Sequence, residues 1–330
     1  MAINGIETII YGVEDLELCT RYFVDFGLNL TASTNRESHF ELAEGSNVIV
    51  RPLEDARVEG QKLVGYGVQQ VVYGLTSSRH LEKLVENVST DRTVRRDADG
   101  SAFFFDDDGI AIGLRVFNRQ PVIGAPDPVN SFDTLKRINV HRKWRTRAKP
   151  KTIQHVVFMS PSPERGFAFY RDRLGFRLSD IQPEFGIFAR ADGCTSHHTM
   201  YWFRADLPFP GLDGQLRFNH ANFGVEDIDE MMVGANYMQR QGWPKSNWGV
   251  GRHRISSSLF LYLPCPAGGE AEYGTDSDAI DDNWIPRSWN ARFGTATWIS
   301  NIPEFLINEA PWEMEFIEGS VPVGTPHPKG

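Results

Sequence analysis

The chain has 330 residues, 41% of them hydrophobic, which suits a soluble globular protein of about two domains. Its net charge of −9 argues against general attraction to nucleic acid or an anionic membrane surface. No apolar run approaches the ~18–20 residues that cross a bilayer, and Cys19, Cys194 and Cys265 share no metal-like spacing, so they read as reduced thiols in a cytoplasm.

Ile6-Glu-Thr-Ile-Ile-Tyr alternates and is β-rich. Asp15 then caps a helical run from Leu16 to Phe26, which Gly27 stops. Val68-Gln-Gln-Val-Val-Tyr-Gly-Leu is a second strand leading into a helix near residues 78–87. From Pro121 to Lys151 the chain is basic and proline-bearing, and reads as a solvated linker. Beyond it the pattern returns. Ile153-Gln-His-Val-Val-Phe is a strand, Ser162-Pro163 opens a helix that Gly175 stops, and proline at the first helical position suits its missing N–H. Phe218-Asn-His-Ala-Asn-Phe-Gly-Val leads into a helix over 228–240, capped by Asp227. Short β-like stretches with Gly and Asp turns follow each helix.

The pattern predicts an α+β fold of four βαβββ units in two tandem modules, each an open β-barrel with helices outside. The expected divisions are residues 1–120 for the first pair, 121–150 for the linker, 151–280 for the second pair and 281–330 for a C-terminal arm.

Aligning the halves isolates candidate chemistry. His155 corresponds to Thr8, His220 to Gln70, and Glu272, four residues after Gly268, to Gly113, four residues after Gly109. A lone histidine on an apolar strand is usually a satisfied core residue. Two imidazoles and a carboxylate at corresponding positions of repeated units, present in one half only, instead form the triad that holds non-haem Fe(II) on one face; residue type also admits manganese, zinc or nickel.

The second half resembles the type I extradiol ring-cleavage dioxygenases of the vicinal oxygen chelate superfamily. The resemblance rests on Gly251-Arg-His253, Leu261-Tyr262, Cys265-Pro-Ala-Gly268 and Glu272, with nine residues from His to Tyr and ten from Tyr to Glu. It implies Fe(II), with Mn(II) as the alternative, held by His155, His220 and Glu272, with Glu270 the competing carboxylate. Asp192-Gly-Cys-Thr-Ser-His-His-Thr-Met-Tyr is similar to the segment bearing the family's acid–base histidine, and His198 matches that position. His253 and Tyr262, expected on one strand, match positions that contact the bound diol. Arg252 and Arg254 could hold an anionic substrate or be solvated. Cys265, Val157 and Ser257 depart from the family pattern. The implied activity is cleavage of a catechol-type ring with O2 in aromatic-compound degradation, by a homo-oligomer with no nucleic-acid or membrane partner. The alternative is another enzyme of the superfamily, such as a glyoxalase-like isomerase or thiol transferase. Trp284-Ile-Pro-Arg-Ser-Trp289 is similar to a family segment after the signature and would cover the active-site mouth, a subunit contact or the outside of the barrel.

Overall fold

Four times along the chain a strand feeds a helix and three further strands follow. The computed structural model describes residues 3–209, 211–246 and 248–317; the proline-rich stretch from Val321 to Gly330, expected as a loose tail, lies outside them. The first unit is β1 (Ile3–Val13), α1 (Leu16–Phe26), β2 (Asn29–Ser33), β3 (Ser38–Glu41) and β4 (Asn47–Pro52), closed by the short α2 (Leu53–Ala56). The second is β5 (Gly67–Leu75), α3 (Ser78–Val88), β6 (Arg95–Arg96), β7 (Ala102–Phe105) and β8 (Ala111–Val116). The third is β9 (Thr152–Ser160), α4 (Pro163–Phe169) with a π-turn over Tyr170–Leu174, β10 (Arg177–Gln182), β11 (Gly186–Arg190) and β12 (Met200–Arg204). The fourth is β13 (Arg217–Gly224), α5 (Ile228–Arg240), β14 (Trp248–Arg252), β15 (Leu259–Pro264) and β16 (Glu270–Thr275). The arm adds β17 (Arg287–Trp289), α6 (Ala291–Thr295), β18 (Trp298–Ile299) and β19 (Met314–Phe316).

Local chemistry sets these bounds. Asp15 accepts a hydrogen bond from the Leu18 amide at 2.9 Å, and Asp227 accepts one from the Glu230 amide at 2.9 Å, satisfying N–H groups that a helix start leaves open. Gly27 closes α1 at φ 109°, a left-handed position that favours glycine. Cys19, Tyr22, Phe23 and Phe26 share one buried face of α1, and each of the three aromatic side chains contributes on the order of 2 kcal/mol by leaving water. That face meets the second half of the chain: Phe26 stacks on Tyr273 at 4.1 Å, and the Tyr273 hydroxyl donates to the Phe26 carbonyl at 2.6 Å.

The two sheets share one plan. The first runs β2-β3-β4-β1-β5-β8-β7-β6 and the second contains β14-β15-β16-β13-β9-β12-β11-β10, with arm strands added at both ends. The internal alignment holds in register. Thr8 pairs with Val72 and Val72 with Gly113, as His155 pairs with Asn222 and Asn222 with Glu272. In the first half this face is closed, because a side chain at Gly113 would meet Phe103 at 2.8 Å and Val72 at 2.9 Å.

Between β8 and β9 the chain has no helix and no named strand. Its basic run, expected to be solvated, is instead tied to the start of α5. Arg142 pairs with Asp229, Lys143 with Glu226 at 2.8 Å, and Arg145 with Glu226 at 2.5 Å and Asp227 at 3.0 Å. Apolar side chains are also left in solvent there, including Ile123, Phe132 and Trp144.

Candidate metal centre and its cavity

Three adjacent strands, β9, β13 and β16, deliver His155, His220 and Glu272 to one buried point. His155 Nε2 lies 3.3 Å from His220 Nε2 and 3.2 Å from Glu272 Oε2, and His220 Nε2 lies 3.4 Å from Glu272 Oε2. The triangle is nearly equilateral. Donors about 2.1 Å from an ion, at right angles to each other, sit about 3 Å apart, so these spacings fit one face of a six-coordinate ion. Glu272 Oε2 is buried and makes no hydrogen bond, although His155 is close; the distance is short but the bonding geometry is not there. An orphaned carboxylate oxygen between two imidazole nitrogens is what a cation site looks like without its ion.

Protonation agrees with that reading. Burial pushes the His220 imidazole down to about 3, against the pull of Glu272, so the ring is neutral near pH 7. Its Nδ1–H is assigned to the Asn219 side-chain oxygen at 2.6 Å, which leaves Nε2 bare toward the site. Burial works to raise the Glu272 carboxyl, but the imidazoles of His155, His220 and His253 outweigh it and hold it at about 2, so it is ionised. Glu270, one strand step earlier, also lines the cavity. Burial and then the Glu272 charge push it up to about 7, and Glu272, not Glu270, joins the triangle.

The remaining expected residues also reach this cavity, whose volume is about 450 Å³. His198 is half-buried, with its ring 4.0 Å from that of His155; burial, then the neighbouring histidines, hold it well below its ordinary range. His253 and Tyr262 sit together, with His253 Nε2 3.2 Å from the Tyr262 hydroxyl, but not on one strand as expected. His253 follows β14 and Tyr262 lies on β15, because the chain turns between them through Ser256 at φ 67° and Ser257 at φ 53°. His253 Nδ1 is 2.6 Å from the Thr295 carbonyl, so Nδ1 donates and Nε2 accepts from Tyr262.

Arg252 bonds Asp276 at 2.9 Å, and Arg254 donates to the Phe293 carbonyl at 3.0 Å and lies over its ring; neither lines the cavity. Cys265 is a buried scaffold residue: its amide donates to the Gly269 carbonyl across the turn. That turn needs Gly268, where φ is 106° and a Cβ would lie 2.6 Å from backbone atoms of Tyr66 and Gly67. Ser257 donates to Asp278 at 3.0 Å, and Val157 is buried within β9.

Sequence reasoning missed Asn222, whose amide nitrogen and oxygen are both buried without partners between His155 and Glu272. The signal existed, since Val72 holds that position in the first half. It also missed the cavity walls, which are aromatic: Phe185, Phe188, Tyr201, Phe203, Trp248 and Phe305. Among the described residues, no lysine or arginine lines this space.

The comparisons with known proteins bear on this site. The family described as Glyoxalase/Bleomycin resistance protein/Dioxygenase superfamily matches residues 152–233, which include His155 and His220. Metapyrocatechase 2 of Cupriavidus necator is 26% identical over 317 residues, covering 93% of this chain and 92% of its own. An iron-dependent extradiol dioxygenase of Rhodococcus jostii (strain RHA1) is 31% identical over 155 residues, covering 44% of this chain and 48% of its own length. In structure, the Mn(II)-bound glyoxalase from Novosphingobium aromaticivorans is similar with a TM-score of 0.68 and 21% identity, over 90% of this chain and 91% of that one. No helix among the described residues is long and apolar enough to cross a membrane.

Proposed function

We propose that this chain, whose residues 152–233 match the glyoxalase/bleomycin resistance protein/dioxygenase superfamily, is an Fe(II)-dependent extradiol dioxygenase that cleaves a catechol-type ring with O2. The observation that carries the reading is the convergence of the buried His155–His220–Glu272 triangle with His198 and the His253–Tyr262 pair in one aromatic cavity. The likeness along nearly the whole chain to a metapyrocatechase supports it over a glyoxalase-like isomerase.

His155, His220 and Glu272 would hold the ion, with Fe(II) preferred and Mn(II) the alternative for this donor set. When bound, the ion supplies acidification of the diol and the electron path between diol and O2. His198, neutral at working pH, accepts a proton from the diol and returns one as the ring opens. Tyr262 meets the substrate oxygen, and His253, anchored by Thr295, orients the Tyr262 hydroxyl. The aromatic walls hold the ring and exclude water, and their lack of positive charge suits a neutral substrate.

The exposed Ile123, Phe132 and Trp144 support association into a homo-oligomer, which sedimentation would read directly. Three free, buried cysteines support a reducing, cytoplasmic setting.

The test of activity is anaerobic loading with Fe(II), followed by oxygen uptake and ring-fission absorbance with a panel of neutral catechols. Uptake with at least one diol is expected. No uptake with any diol, together with turnover of a glutathione hemithioacetal, overturns the proposal in favour of the isomerase.

A further inference from the structure

We infer that Asp180 and His197 are positioning residues that fix the tautomer of His198, and that the C-terminal arm is built onto them. The inference rests on the reading of His198 as the acid–base group.

The chain of contacts starts at Asp180 on β10, whose side chain is fully buried. Its Oδ1 accepts from the Arg287 amide at 2.7 Å, and its Oδ2 lies 3.1 Å from Trp289 Nε1 and 3.1 Å from His197 Nε2. A carboxylate met by a backbone N–H and an indole N–H is an acceptor, so His197 Nε2 must bring a proton. His197 is itself fully buried. A second proton on it would set an imidazolium against His198 and the site that receives a divalent ion, so His197 carries one, on Nε2.

His197 Nδ1 is then bare, and it lies 3.2 Å from His198 Nδ1. His198 must therefore place its proton on Nδ1. Its Nε2 is left with a free lone pair, and His198 lines the cavity whereas His197 does not. The ring cannot readily turn over, being 4.0 Å from His155 and edge-on to Phe188 at 5.1 Å. The result is a histidine that meets a substrate hydroxyl as a base.

The arm completes this device. Within Trp284-Ile-Pro-Arg-Ser-Trp289, the Arg287 amide and the Trp289 indole hold Asp180, while Trp284 Nε1 donates to the Ser179 carbonyl at 2.7 Å and its ring meets His197 edge-on at 5.9 Å. Ser179 Oγ in turn donates to the His197 carbonyl. The aromatic, basic motif thus locks the residues behind His198.

The decisive variant is Asp180→Asn made in a Trp289→Phe background, because the indole N–H on Oδ2 would otherwise hold the amide oxygen on the His197 side. With the indole gone, the backbone donor at Arg287 keeps the amide oxygen on its side, so the amide NH2 faces His197. His197 then protonates Nδ1 and His198 is driven to carry its proton on Nε2. Long-range 1H–15N spectra of the histidine-labelled full chain, loaded with diamagnetic Zn(II), read this directly. Wild type is expected to show His198 protonated at Nδ1, and D180N in that background at Nε2. In the Fe(II)-loaded protein, D180N is expected to lower kcat about 10²–10³-fold relative to that background, with KM and iron content unchanged. The loss is expected to vanish in a His198→Ala background, which a merely structural role would not produce. If the double variant does not fold, His197→Phe, which removes the acceptor for His198 Nδ1, is read in the same cycle. Protonation of His198 at Nε2 in wild type, or an undiminished loss in the His198→Ala background, overturns the inference. Should wild type cleave no diol, the functional reading falls, while the nitrogen spectra still decide the tautomer.

Discussion

Glu272 Oε2 lies 3.2 Å from His155 Nε2 and accepts no hydrogen bond. The strand pairing of Asn222 with both residues brings the two side chains together. A buried, ionised carboxylate facing two imidazole nitrogens is a place for a cation. Glu272→Ala is therefore expected to lose metal affinity by more than the roughly 10–100-fold that removal of an outer hydrogen-bond partner costs. Its metal-free form is expected to be less stable than metal-free wild type at pH 7, because the imidazoles that hold the carboxyl at about 2 favour the ionised group in the fold. Elemental analysis after desalting, paired with urea unfolding in chelator, checks both. Wild-type metal content in the variant would remove Glu272 from the site.

His198 sits beside the His155–His220–Glu272 triangle but outside it, so its loss should separate chemistry from binding. His198→Ala is expected to retain full metal content and anaerobic diol binding, and to lose about 10²–10⁴-fold in kcat, the usual contribution of a positioned acid or base. Single-turnover oxygen consumption, measured beside anaerobic titration of the diol, distinguishes the two. A variant that loses diol affinity while keeping kcat would make His198 a binding residue instead.

Much of this was legible in the sequence for reasons the structure makes plain. The bounds Leu16–Phe26 and Ile228–Arg240 could be read because Asp15, Gly27 and Asp227 are local signals whose partners lie within a few residues. The grouping of His155, His220 and Glu272 could be read because the first half supplies an internal control in Thr8, Gln70 and Gly113, and the strand registers coincide. What stayed hidden depends on distant partners. Asp180 is 17 residues from His197 and 109 from Trp289, and on its own reads as an exposed strand carboxylate. The split of His253 from Tyr262 turns on positive φ at two serines, residues that do not announce that conformation. The linker arginines looked solvated because Glu226, Asp227 and Asp229, which they meet, lie 81 or more residues later.

The arm also reaches the cavity mouth through Phe305, whose ring is 5.6 Å from Phe209, 5.6 Å from Trp248 and 6.5 Å from Phe185. Each such aromatic pair contributes about 0.5–1.5 kcal/mol. Phe305→Ala is expected to raise KM for a bulky neutral diol by about 10-fold, to leave kcat within about 3-fold, and to leave metal content unchanged. Steady-state kinetics with an unsubstituted and an aryl-substituted catechol check this. The larger effect is expected on the larger substrate, and equal effects on both would place Phe305 outside the substrate's reach.

Glu226 ties the segment before β9 to α5, and its ionisation gives a stability signature away from the metal centre. Lys143 Nζ and the Ala125 amide donate to it at 2.8 Å, and Arg145 donates at 2.5 Å. The Lys143 ammonium first, with Ala125 and Arg145, outweighs its partial burial and holds the carboxyl down at about 2, against 4.5 for the free side chain. Folded and unfolded chains are both ionised above the unfolded value, so the full contribution is present there. As pH falls from 4.5 toward 2 the unfolded state takes up the proton first, and the contribution is lost. Because the pairs lie near the surface, solvent screening reduces it to about 1–2 kcal/mol. Glu226→Gln is expected to lower stability by that amount at pH 7, and the gap from wild type should close progressively below pH 4.5. Urea midpoints at pH 7, 5 and 3.5 measure it, and a gap that stays constant across that range would show that the carboxylate's charge is not what binds the segment to α5.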